Sequence, residues 1–154
     1  MKPPTKTVRP PITIGGVTIY PGSRTSVQIA VTPRYTQADV YLPAHVIHGK
    51  RPGPRLFVSA ALHGDEINGV EVIRRLLRVP ALNRLRGTLV AVPIVNVYGF
   101  LSQTRYLPDR RDLNRCFPGS ATGSLAGRLA HRFMQEVVRG STHGIDLHTG
   151  AAGR

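Results

Sequence analysis

Arg55-Leu-Phe-Val-Ser-Ala-Ala-Leu62 is a continuous apolar run that delivers His63 at its end. A strand buried on both faces has this pattern, whereas a half-buried strand alternates. From Asn68 to Arg78 the period changes. Val70, Ile73 and Leu77 recur at helical spacing, the basic residues Arg74, Arg75 and Arg78 lie elsewhere or at the end, and Pro80 stops the helix. Thr88-Leu-Val-Ala-Val-Pro-Ile-Val-Asn96 is a second buried strand, with Pro93 marking an edge, a bulge or the strand's end. A second helix is expected from the cap Ser124, with Leu125, Leu129, Phe133 and Val137 on one face and Gly140 at its end. Gly144-Ile-Asp-Leu-His148 is a third strand. Strand–helix–strand alternation after residue 54 predicts an α/β fold, with a mixed, partly parallel sheet and flanking helices.

Working outward, residues 1–11 are Pro-rich and basic and read as a flexible lead-in. The segment up to His48 reads as β structure, broken by turn signals at Gly15-Gly16, Pro21-Gly22, Pro33 and Pro43, and Lys50-Arg-Pro-Gly-Pro54 reads as a turn. Residues 99–123 form a long loop with the densest charge in the chain; long loops in compact domains are functional or disordered.

Composition limits the classes of function. A chain of 154 residues, 41% of them hydrophobic, has room for one domain with a real core. The apolar stretches Leu56 to Leu62 and Leu89 to Val97 are too short to span a bilayer, and the first residues lack the apolar segment of a signal peptide, so a cytoplasmic location is expected. The single cysteine, Cys116, has no internal disulfide partner and reads as a packing residue. Lys and Arg number 21 against 8 Asp and Glu, a net charge of +13 that attracts anions in general. The basic residues are scattered outside the loop, and with no Trp there is no evident stacking platform for single strands. A small carboxylate-bearing molecule is therefore preferred as partner over nucleic acid or membrane.

Chemistry concentrates at strand ends. His63-Gly-Asp-Glu66 and Asp146-Leu-His148 give two ligands close together and a third far along the chain, the spacing of a catalytic zinc site with three protein ligands and one open position. His63, Glu66 and His148 are accordingly the candidate metal ligands, for one Zn²⁺ per chain. Asp65 is the rival ligand, ranked below Glu66 as a solvated or helix-terminus acid. Asp146, two positions before His148 on one strand face, is a candidate to support it.

Four segments, Leu62-His-Gly-Asp-Glu66-Ile-Asn-Gly69, Arg105-Tyr-Leu-Pro-Asp109, Asp112-Leu-Asn-Arg115-Cys-Phe-Pro-Gly119 and Ile145-Asp-Leu-His-Thr-Gly150, together resemble the succinylglutamate desuccinylase/aspartoacylase family of zinc-dependent deacylases, which is related to the zinc carboxypeptidases. The resemblance implies a carboxypeptidase-like α/β fold and hydrolysis of the amide of an N-acyl amino acid or a similar carboxylate-bearing substrate. It implies that Asn114 and Arg115 bind the substrate carboxylate, a task suited to a planar guanidinium that can engage both oxygens. Arg105 aligns with an arginine beside the scissile carbonyl, where a fixed cation stabilises developing oxyanion charge, and Arg110 and Arg111 are the alternatives. Asp112 is expected to accept the second ring proton of a metal-bound histidine. Family members are much longer, and their general base lies downstream of the third ligand. Residues 12–154 are therefore expected to be the N-terminal portion of a catalytic domain, incomplete, weakly active or inactive alone, and prone to self-associate through an exposed sheet edge. The competing readings are a zinc carboxypeptidase acting on peptides and a basic binding module with a residual metal site.

Overall fold

A computed structural model of the chain describes residues 9–31 and 40–150. Most of the lead-in and the turn signal at Pro33 lie outside the described residues. The described end of the lead-in is held by Arg9, whose guanidinium donates to the carbonyls of Gly49 and Gly87 and to Thr88 Oγ1.

Two short strands, β1 (Ile12–Ile14) and β2 (Val17–Ile19), form an antiparallel hairpin. The main sheet contains β3 (Ser23–Ala30), β4 (Tyr41–His48), β5 (Arg51–Ala60), β6 (Arg86–Val92) and β7 (His143–Leu147). Its spatial order is β3-β4-β6-β5-β7. β3, β4 and β6 are joined by antiparallel pairing, while β6, β5 and β7 run parallel, so the sheet is mixed as expected. Parallel neighbours need crossovers, and these supply the helices α1 (Asn68–Leu76), between β5 and β6, and α3 (Leu125–Phe133), before β7.

Strand alternation splits the core in two. Val90 and Val92 of β6 face a large cluster that includes Val46, Leu113, Leu129 and Phe133, while Leu89 and Ala91 face a smaller one with Val58, Ala60 and Ile73. Helix α3 thus covers one face of the sheet and α1 the other. Ile73, with no exposed surface, is the apolar anchor of α1, and such full burial stabilises by about 1.5–3 kcal/mol.

Three local expectations are corrected. Lys50 to Pro54 is not a free turn, because β5 already begins at Arg51, with a pairing irregularity between Arg51 and Arg55 where Pro52 and Pro54 interrupt regular bonding. Pro43 does not break the chain either. It lies inside β4 opposite Gln28, at a level where β6 has not yet begun to pair, so β4 has one neighbour there. The segment 99–123 is not wholly loop, since α2 (Val97–Ser102) opens it and Leu113–Arg115 forms a 3-10 turn. Pro93 marks a strand end, one residue past β6.

Candidate metal centre

The three parallel strands deliver the site. In open α/β sheets, ligands bind beyond the carboxyl ends of the strands, and here β5 leads to His63, β6 to Asn96 and β7 to His148. Between β5 and α1 the chain turns tightly: Ala61 adopts φ 50°, and the Glu66 amide donates to the His63 carbonyl at 3.2 Å. A Cβ on Gly64 would lie 1.9 Å from the backbone carbon of Gly99, so only glycine lets this loop rest against α2.

His63, Glu66 and His148 converge, with ligand atoms within 4.8 Å of one another. His63 Nδ1 lies 2.8 Å from Glu66 Oε1, and His148 Nδ1 lies 2.9 Å from Glu66 Oε2. The opposite ring nitrogen of each histidine meets an aspartate. His63 Nε2 is 3.0 Å from Asp112 Oδ1, and His148 Nε2 is 2.5 Å from Asp146 Oδ2. His63 and Glu66 are buried, at 2% and 3% exposure, so their mutual contact is shielded from water, whereas the His148–Asp146 contact is exposed.

This arrangement fits a metal ion. With each ring proton on the nitrogen that faces an aspartate, the Nδ1 lone pairs are left toward Glu66, an arrangement that suits a metal ion held between the rings and the carboxylate. That pattern occurs twice around one carboxylate. The carboxylates of Glu66, Asp112 and Asp146 are offset by the single guanidinium of Arg105, an excess of two negative charges that a divalent cation neutralises. Two ring nitrogens and one carboxylate also form a donor set that leaves a coordination position open. Burial by itself pushes the Glu66 carboxyl up, but hydrogen bonds, the Thr149 amide's first among them, outweigh it and hold the group below its ordinary range. Asp112 behaves alike: burial is outweighed by His63, the Asn114 amide and Arg105.

Arg105 stands beside this cluster. Its Nε and Nη2 donate to Asp112 Oδ2 at 3.1 and 3.0 Å, and its Nη1 reaches Glu66 Oε1 at 3.3 Å. Asn114 and Arg115 follow Asp112 on the 3-10 turn and are exposed, and their side chains make no hydrogen bond or ion pair among the described residues. Arg110 and Arg111 are exposed on the preceding loop, Arg110 with φ 59°. Asp109 is occupied at the start of α3, accepting from the Ala126 amide at 3.0 Å. Asp65 is only partly exposed, and its Oδ1 is buried without a hydrogen-bond partner.

Two residues of the site carry no motif. Ser59 donates to Asp146 Oδ1 at 2.7 Å; its only signal in the sequence is a hydroxyl in an otherwise apolar strand. Asn96 accepts from the Gly99 amide at 2.8 Å to cap α2 and donates to the Arg105 carbonyl at 3.3 Å, which ties the arginine's loop to β6.

Known proteins resemble this chain in sequence and fold. The profile of the Succinylglutamate desuccinylase/Aspartoacylase catalytic domain matches residues 52–154. An N-alpha-acetyl-L-2,4-diaminobutyric acid deacetylase from Halomonas elongata is 30% identical over 112 residues, covering 72% of this chain and 32% of that enzyme. The crystal structure of a succinylglutamate desuccinylase/aspartoacylase from Rhodobacter sphaeroides superposes with a TM-score of 0.75 at 29% identity, over 83% of this chain and 40% of the other. A metallo-carboxypeptidase from Pseudomonas aeruginosa, at 23% identity and a TM-score of 0.52 over 73% of this chain and 32% of its own, shares the fold. The chain thus spans about a third of the length of the curated relative it matches and about two fifths of the Rhodobacter structure. By profile, sequence and fold alike, it belongs to the succinylglutamate desuccinylase/aspartoacylase family.

Proposed function

We propose that this chain is the metal-binding part of a zinc-dependent hydrolase that cleaves the amide of an N-acyl amino acid or a similar carboxylate-bearing substrate. The observation that carries this reading is the paired setting of His63 and His148, each backed by an aspartate at Nε2 and turned through Nδ1 onto Glu66. Zinc held by these three residues supplies Lewis acidity toward the scissile carbonyl and lowers the pKa of coordinated water.

The protein's own groups supply orientation and charge. Asp112 and Asp146 fix the ring orientation of the two histidines. Arg105 is held against Asp112 and Glu66, and its guanidinium stabilises the charge that develops on the substrate carbonyl oxygen. Arg115 and Asn114, exposed and without partners among the described residues, take the substrate carboxylate, the guanidinium by paired hydrogen bonds and the amide by a directed donor. The general base belongs to the region that family members carry downstream of the third ligand. Among the described acids around the metal centre, Asp65 alone accepts no hydrogen bond, which makes it the in-chain alternative.

Metal analysis joined to an activity panel tests the reading. About one zinc per chain is expected, with loss of most of it in His63→Ala and His148→Ala. In a polypeptide that contains this chain, N-acetylaspartate, N-succinylglutamate and Nα-acetyl-2,4-diaminobutyrate are expected to yield free amino acid, and unblocked peptides none. Unchanged zinc in both variants, or release of C-terminal residues from peptides, overturns it.

A further inference from the structure

A cavity of about 410 Å³ lies at the end of the sheet opposite the metal centre, where β5 and β6 begin. Arg51 and Ala60 bound β5, so at about 3.3 Å per residue the cavity is on the order of 30 Å from His63. Arg24 of β3, Lys50 of the β4–β5 turn, Arg51 of β5 and Arg84 of the 3-10 helix before β6 line it, together with Ser23 and Asn83. No acid lines it, and none of the four cations forms a salt bridge among the described residues. The described acids lie elsewhere: Glu71 is paired with Arg74 and Arg75, Glu136 with Arg132 and the Gly15 amide, Asp109 holds the Ala126 amide, and Glu66, Asp112 and Asp146 surround the metal centre.

The sheet aggravates this imbalance. Arg51 and Arg86 are register partners on the parallel pair β5 and β6, two like charges placed side by side with no carboxylate between them. Gly22, at φ 87°, leaves the space over which the Lys50 side chain lies, since a Cβ there would come within 2.6 Å of Lys50 Cε. The lysine is thereby laid across the turn that precedes β3.

We propose that this cavity binds a compact phosphate-bearing anion. Its volume falls in the range of small-ligand sites, and cations arriving from four separate elements suit a tetrahedral group that offers three or more acceptor oxygens in different directions. A nucleic-acid strand is disfavoured because the cations line a concave space and, among the described residues, no Phe, Tyr or Trp lines it for stacking. The site is separate from the metal centre and does not depend on the hydrolase reading.

Calorimetric titration of the chain, without added metal, with inorganic pyrophosphate at fixed ionic strength is the test. One saturable site is expected, weakened at least tenfold in the double variant Lys50→Ala/Arg84→Ala. Binding is expected to stay within about twofold in Arg78→Ala/Arg139→Ala, which removes equal charge elsewhere, and in His63→Ala, which removes a metal ligand. Citrate, a carboxylate of similar charge, is expected to bind at least tenfold more weakly. Equal losses in the two double variants, loss in His63→Ala, citrate binding as tightly, or displacement by duplex DNA at lower phosphate concentration each overturns the proposal.

Discussion

Ser59 and Asp146 face each other as register partners on the parallel strands β5 and β7, and the serine hydroxyl donates to Asp146 Oδ1 at 2.7 Å. The other oxygen of Asp146 meets His148 Nε2, so a residue of the buried strand β5 bears, through Asp146, on the orientation of a histidine just past the end of β7. Losing the support behind a metal-bound histidine costs about 10–100-fold in metal affinity. Asp146→Asn is expected in that range. Ser59→Ala, one bond further out, is expected to cost severalfold, with no change in the number of zinc ions bound. Competition with a zinc chelator measures both, and wild-type affinity in Asp146→Asn contradicts the arrangement.

Carboxylate recognition by the loop is tested through geometry and not charge. Arg115→Lys keeps the positive charge but loses the planar fork, and roughly tenfold weaker binding of an N-acyl dicarboxylate analogue is expected. Arg78→Lys, at the end of α1, is the control and is expected to bind unchanged. Equal effects at both positions would attribute anion binding to the net charge of +13 alone.

Much of this architecture is legible in the sequence because it rests on period and punctuation. The apolar run before His63, the helical spacing of Val70, Ile73 and Leu77, and the cap at Ser124 each depend on neighbours in the chain, and each appears in place. Sequence spacing also singled out His63, Glu66 and His148, which the fold brings together. Contacts set by tertiary neighbours were not legible. Pro43 reads as a breaker until β6 is seen to pair only with the other half of β4, and Ser59 reads as a neutral strand residue until β7 sets Asp146 beside it. The fate of Lys50 to Pro54 likewise depends on Arg86, a residue far along the chain.

Gly64 limits how the site loop can vary. An added methyl would collide with the Gly99 backbone, which is fixed in turn by the Asn96 cap, so the strain cannot be relieved by rotating a side chain. Gly64→Ala is expected to destabilise by about 1–3 kcal/mol, read as a lower denaturation midpoint at unchanged slope, and to weaken zinc binding because His63 and Glu66 flank the displaced segment. A wild-type midpoint would show that the two loops are able to separate.

Acid sensitivity has a component in α1 that is independent of the metal. Arg74 and then Arg75 hold the Glu71 carboxyl down at about 2, against an ordinary value of 4.5. A depressed carboxyl stabilises the folded state above its unfolded pKa, and this support fades as pH falls from 4.5 toward about 2. Glu71→Gln is therefore expected to melt slightly lower than wild type at pH 7, with the difference vanishing near pH 2. The group is exposed, so the effect is small and shrinks with added salt. A difference that persists at pH 2 would assign the loss to helix packing.

Asp65 and Asp109 decide where the general base resides. A positioned base is worth about 10²–10⁴-fold in rate, far more than a solvated acid contributes. Asp109 holds the Ala126 amide at the start of α3, whereas the buried oxygen of Asp65 has no hydrogen-bond partner among the described residues. In a polypeptide that contains residues 1–154 and turns over an N-acyl amino acid, Asp65→Asn and Asp109→Asn are each expected to lower turnover less than about fivefold, consistent with a base downstream of His148. A hundredfold loss in Asp65→Asn with zinc content intact would place the base on the loop between His63 and Glu66, and the bell-shaped pH profile would then lose its acidic limb in that variant alone.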